Sequence, residues 1–158
     1  MGGSGEQALE RDNNREKTPM KLPILAAALA LSAMAVPAFA QDVTGLWQTQ
    51  TNGGQVEISR CGNSLCGKLV TSNHIKADPA VKDEKNKDAS QRTRTLKNMQ
   101  MLYDFTGGPT KWTGGTVYNA ADGGTYSGTI TLLSANELKL KGCIVAPLCK
   151  TEKWTRIK

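Results

Sequence analysis

The sequence has 158 residues, 39% hydrophobic and 22% charged, with a net charge of +6: enough chain for one domain with a single core, and too little for several. A basic balance suits contact with anionic surfaces, although by itself it indicates mainly solubility.

Residues 1–19 are polar, and Glu6, Glu10, Asp12 and Glu16 make them a poor start for a leader, so they read as an extension upstream of an expected translation start at Met20. Residues 20–40 then place Lys21 before an apolar run from Ile24 to Val36, a breaker at Pro37 and Ala38-Phe39-Ala40. This is the pattern of a secretory signal peptide cleaved between Ala40 and Gln41. The run is shorter than the about 20 apolar residues a membrane crossing needs, so no transmembrane span is expected after processing. No cysteine follows the cleavage site to carry a lipid anchor. Residues 41–158 are expected as a single periplasmic or secreted domain, with all four cysteines in the exported part, where disulfides persist.

From Gly45 onward, short alternating stretches are separated by Gly, Asn, Asp and Pro. They predict strands at 45–50, 55–60, 65–71, 99–105, 111–118, 124–132, 137–142 and 151–157. The alternation is clearest in GTYSGTITLL, where Tyr126, Gly128, Ile130 and Leu132 share one face. Turns at TNGG, AADGG and SAN supply positive-φ residues for hairpins, so sequential strands are expected to be antiparallel neighbours. Closure removes the edges of such a sheet, and the expected fold is all-β: an eight-stranded antiparallel up-and-down barrel.

CGNSLCGK, from Cys61 to Lys68, imitates the start of a phosphate-binding loop, but Leu69 stands where the magnesium-binding hydroxyl belongs and a strand follows instead of a helix. It reads better as a hairpin with Cys61 and Cys66 at its neck. In an up-and-down barrel, the loop after strand two and the loop after strand seven lie at opposite ends, about 20 Å apart at ~3.3 Å per residue. Bridged Cα atoms lie within about 7 Å, so the pairing is Cys61 with Cys66 and Cys143 with Cys149. The absence of C-x-x-C and the single histidine, His74, speak against a redox or metal role for these cysteines.

The connection at 72–98 is long, with seven basic residues against four acidic ones. A short helix capped at Asp78-Pro79 and a partly ordered lid are expected here. Asp83, Asn86 and Asp88 have oxygens that could gather a cation, but the glycine turn and terminal Glu of an EF-hand are missing, and Lys85 and Lys87 intervene. A solvated, self-neutralising loop is the plainer reading.

Trp47, Tyr103, Phe105, Trp112, Tyr118, Tyr126 and Trp154 are assigned inward by alternation, beside Gly67, Gly114, Gly128 and Gly142. Large residues beside glycines either fill a core or leave room for one small ligand, which an eight-stranded barrel can hold. Trp47, Tyr103, Trp112, Tyr118, Tyr126 and Trp154 are the candidate lining. The mouth is expected at the long-loop end, ringed by Lys76, Lys82, Lys85, Lys87, Arg92, Arg94 and Lys97.

TGLWQT near the start and KWTRIK at the end resemble the calycin arrangement of avidins and lipocalins, in which a tryptophan of the first strand packs near a basic residue of the last. Trp47 and Arg156 take those positions and are expected to plug one end. More specifically, GLWQT, VEISRCGNSLCGKLV, the Asp83, Asn86, Asp88 run, WTGGTVYNAADGGTY, LKLKGC and LCKTEKWTR resemble the DUF2147 family of exported bacterial proteins. The resemblance spans nearly all of residues 42–157 and implies fold and location rather than chemistry. It is weakest in the long loop: the family tends to have Arg-Pro-Leu and then a glycine, whereas this chain has Arg94-Thr95-Leu96 and Asn98.

Three functions follow as expectations. The first is a barrel binding a small apolar or amphipathic molecule, including one with an anionic head. The second is a filled barrel acting through its surface on an envelope protein or anionic surface. The third, favoured least, is an enzyme using acid groups such as Asp104 at the rim. No catalytic motif, cofactor site or metal site is identified, and export disfavours nucleic acid.

Overall fold

The computed structural model describes residues 42–158; the extension 1–19, the expected leader at 20–40 and its cleavage site at Ala40 and Gln41 lie outside the described residues. Eight antiparallel strands close into a barrel in sequence order. They are β1 (Gly45–Gln48), β2 (Gln55–Cys61), β3 (Ser64–Thr71), β4 (Met99–Gly107), β5 (Lys111–Asn119), β6 (Gly124–Ser134), β7 (Glu137–Val145) and β8 (Leu148–Arg156). Closure is made where Trp47 pairs with Arg156 and Gln48 with Thr155. Alternation put these strands where they are, because one face of each must be dry. β7 and β8 run further than their alternation suggested: Cys143 faces Cys149 and Val145 faces Leu148, so the presumed loop between the cysteines is a continuation of the hairpin.

Both disulfides form as the up-and-down order requires, Cys61 to Cys66 and Cys143 to Cys149. The glycine loop of the P-loop imitation is the β2–β3 hairpin, where Cys61 pairs with Ser64 and Gly62 turns at φ 64°.

The barrel has two unlike ends. At the end where Asp42 and Lys158 lie, Val43, Trp47, Ile58, Leu65, Leu102 and Phe105 are buried to 1% exposure or less. Phe105 lies against Gly115 and Gly128, where an added Cβ would fall 2.3 and 2.4 Å from its ring, and Leu102 occupies the space at Gly67. Large side chains thus consume the room that three of the glycines leave, and this half is a packed core.

Residues 72–98 begin with α1 (Asn73–Ala77), whose N-cap is Ser72; its side chain accepts from the Ile75 amide. Asp78, expected as an N-cap, instead closes the C-terminal end of that turn. A 3-10 turn at Ala89–Gln91 and a bridge between Lys82 and Thr95 follow, so the excursion is an ordered structure in its own right.

Candidate functional site

Trp47 and Arg156, the pair expected to plug one end, lie together. The Arg156 guanidinium lies over the Trp47 ring, 4.2 Å from its centroid, and donates to the carbonyls of Thr44, Asp42 and Ala135 at 2.6, 2.6 and 2.5 Å. The Trp47 indole N–H donates to the Val43 carbonyl at 2.9 Å. A flat cation with donors on several sides can satisfy three carbonyls from two separate chain segments while stacking on an aromatic face. This end is therefore sealed.

The other end is open. A cavity of about 540 Å³ enters the barrel there, lined by Val117, Tyr126, Leu140, Gly142 and Trp154 inside and by Thr51, Asn52, Asn119 and Lys150 at the rim. Glu152 stands in its wall. One carboxylate oxygen accepts from the Trp154 indole N–H at 3.1 Å; the other lies 3.0 Å from Lys150 Nζ and 3.4 Å from the Thr51 hydroxyl. Glu152 pairs across the hairpin with Leu140, which shows that it points inward. Tyr126 is held at the cavity by its hydroxyl, which donates to Asp122 at 2.8 Å. Burial, opposed and outweighed by the Gly124 amide, the Tyr126 hydroxyl and the Asn119 amide, leaves the Asp122 carboxyl below its ordinary value. A smaller pocket of about 310 Å³ adjoins the cavity under the long loop, lined by Leu69, His74, Val81, Lys82, Lys85 and Leu96.

Of the six aromatic candidates, Tyr126 and Trp154 line this cavity. Trp47 and Trp112 are buried in the packed half, Trp112 beside the β4–β5 turn at Gly108. Tyr103 and Tyr118 are on the outer wall, contrary to their inward assignment. The reason is local. Between Trp112 and Gly115 the ladder with β6 slips by a bulge, which moves Gly115 and Val117 inward and turns Thr116 and Tyr118 out. In β4, Asp104 adopts φ 56° and an irregularity between the pairs Leu65–Phe105 and Gly67–Leu102 separates Tyr103 from the face of Phe105. A bulge reverses every face assignment beyond it. Asp104 is exposed on that outer wall near the Cys61–Cys66 disulfide; both sulfurs are bonded to each other and offer no thiolate to a metal.

Tyr118 is nevertheless buried, at 5% exposure, because the long loop covers it. Its hydroxyl donates to Asp83, 2.7 Å from both carboxylate oxygens. Asp83 is 1% exposed and also receives Arg94 Nε and Nη2 at 2.9 Å each and the Asn86 amide at 2.8 Å. Arg94 lies over the Tyr118 ring, 4.9 Å from its centroid. Asn86 carries the order onward: its side chain accepts from the Asp88 amide and its carbonyl from Arg92 Nε. Contrary to the expectation of a solvated loop, Asp83 and Asn86 therefore form a buried polar latch that fastens the excursion to the barrel wall, while Asp88 stays exposed and accepts from the Ser90 amide. The latch draws Arg94 and Arg92 away from the mouth, and of the seven expected basic residues only Lys82 and Lys85 line a pocket there.

Glu152 and Lys150 were missed by sequence reasoning. Their signal was present in LCKTEKW, where alternation puts Lys150, Glu152 and Trp154 on one face.

A solved structure, protein HP1028 from Helicobacter pylori, described as belonging to the lipocalin family, is similar to this chain with a TM-score of 0.67 and 24% identity, over 74% of this chain and 84% of that one. The likeness concerns the fold. No curated protein matches the sequence. The family model described as an uncharacterized protein conserved in bacteria (DUF2147) matches residues 45–156, and the chain belongs to that family.

Proposed function

We propose that this protein is an exported barrel that binds a small apolar or amphipathic molecule in the cavity at its open end. The observation that carries the reading is the contrast between the two halves of the barrel. One half is packed by Phe105 and Leu102, while the other keeps about 540 Å³, within the range of small-molecule sites. Tyr126, Leu140, Val117 and Trp154 offer apolar and aromatic surface to the body of a ligand. Glu152 and Lys150 offer an acceptor and a donor to a polar head at the rim. Two disulfides support residence in an oxidising compartment, as does the leader-like stretch at 20–40.

The test is native mass spectrometry of the protein exported by its own host, compared with the same sample denatured. The expected result is extra mass that disappears on denaturation and is missing from a Gly142→Phe variant, whose ring would occupy the cavity. A bare mass in both samples, with indole fluorescence that no lipid or lipophile perturbs, would overturn the reading.

A further inference from the structure

The β7–β8 hairpin ends in a sequence that folding alone does not explain. Ile144, Val145 and Leu148 are 72, 61 and 63% exposed, the three most exposed large hydrophobic side chains among the described residues. They flank one turn, at Ala146-Pro147, and the Cys143–Cys149 disulfide crosses the hairpin beneath them. Scattered apolar residues on a surface need no explanation, but a stapled prong of three does. The flanks are basic in balance: Lys141 and Lys150 are exposed on either strand below the tip and Lys139 and Lys153 face each other further down, with Glu152 beside Lys150 and Glu137 beside Lys153. Ile144 and Leu148 also belong to the cavity wall, so apolar surface continues from the tip into the mouth.

We propose that this tip is a docking prong for an anionic lipid bilayer, on which it seats the mouth of the cavity against the lipid. Apolar side chains at the tip enter the headgroup and acyl boundary while the lysines behind them remain among anionic headgroups. Lys82 and Lys85 of the long loop, which line the adjoining pocket at the same end, add attraction of the same sign. A second copy of the chain is a poorer occupant, because one turn presents far less than the about 800 Å² per partner of a stable interface. The prong does not depend on the ligand reading, since a filled barrel could dock in the same way.

The experiment is vesicle flotation of the oxidised, exported protein. Vesicles of phosphatidylglycerol with phosphatidylcholine are compared with phosphatidylcholine alone, for the parent and for Ile144→Ser/Leu148→Ser. Both positions are exposed, and thermal melting checks that the fold is unchanged. The parent should float with anionic vesicles and lose binding as salt rises, and the double variant should bind at least about tenfold more weakly. An indole introduced by Leu148→Trp should shift its emission to the blue and be quenched by brominated lipid. Gly142→Phe should still float, which separates this proposal from the fate of the cavity. Undiminished flotation of the double variant, a water-like emission from the Leu148→Trp indole on vesicles, or a dimer in sedimentation that the double variant abolishes would overturn the proposal.

Discussion

Tyr118 and Asp83 are 35 residues apart in the chain and share a hydrogen bond of 2.7 Å across the wall of the barrel. The phenol belongs to β5, the carboxylate to the long excursion, and Arg94 closes the group from the other side. A buried carboxylate is tolerable only when its lone pairs are used, and here phenol, guanidinium and amide use them. Removing the phenolic hydroxyl with Tyr118→Phe leaves Arg94 and Asn86 in place and should cost about 1–2 kcal/mol. Asp83→Ala orphans all three donors and should cost more, about 3 kcal/mol. Urea unfolding measures the losses. Hydrogen exchange should localise the opening to residues 81–98, with β6 to β8 still protected.

The same pair predicts a response to alkali. Burial, then the hydrogen bond and charge of Asp83, push the Tyr118 phenol up to about 12 from its ordinary 10.0. A pKa raised on folding contributes stability that is complete below the unfolded value and is lost as pH rises through the folded one. The latch should hold to about pH 10 and weaken toward pH 12, where phenolate would face carboxylate. Stability measured from pH 8 to 12 should fall more steeply in the parent than in Tyr118→Phe; equal slopes would remove Tyr118 as the cause.

Strand positions and barrel closure were legible because alternation and turn residues are local signals, and the disulfide pairing followed from topology. Side-chain facing was legible only as far as the next bulge. Reading Trp112 inward was sound; carrying the same phase to Tyr118 failed, because Gly114, at φ 72°, sits in a bulge that alternation does not announce. The latch was obscured for another reason. Asp83 looks like any acidic loop residue until a tyrosine from a distant strand and an arginine eleven positions on meet it. Asn98 adopts φ 61°, and asparagine is among the few residues other than glycine that enter this region readily.

At the sealed end, Arg156 is not replaceable by another cation. Its three donor directions reach Thr44, Asp42 and Ala135 at once, and its plane stacks on Trp47. Lysine offers a single ammonium without a plane. Arg156→Lys should lose about 2 kcal/mol through unpaired carbonyls and lost stacking, and Arg156→Met at least as much. Thermal unfolding of both variants checks this. If Arg156→Lys melts with the parent, charge alone holds the plug.

Gly128 and Gly142 lie on the strands that pair beside one another, β6 and β7, and are themselves register partners. Their surroundings differ. A methyl at Gly128 would lie 2.4 Å from the Phe105 ring and 2.9 Å from Val117, while one at Gly142 would meet only Tyr126, at 3.5 Å. Gly128→Ala should therefore cost about 1–3 kcal/mol by overpacking, and Gly142→Ala should stay within about 0.5 kcal/mol. If the Phe105 ring is the obstacle, Phe105→Leu should recover part of the Gly128→Ala loss, a coupling that a double-mutant cycle measures. Equal costs at the two glycines would mean that the open half is packed like the sealed one. Unequal costs place the boundary between core and cavity at this one pair, where two glycines face each other and only one has a ring in the way of an added methyl.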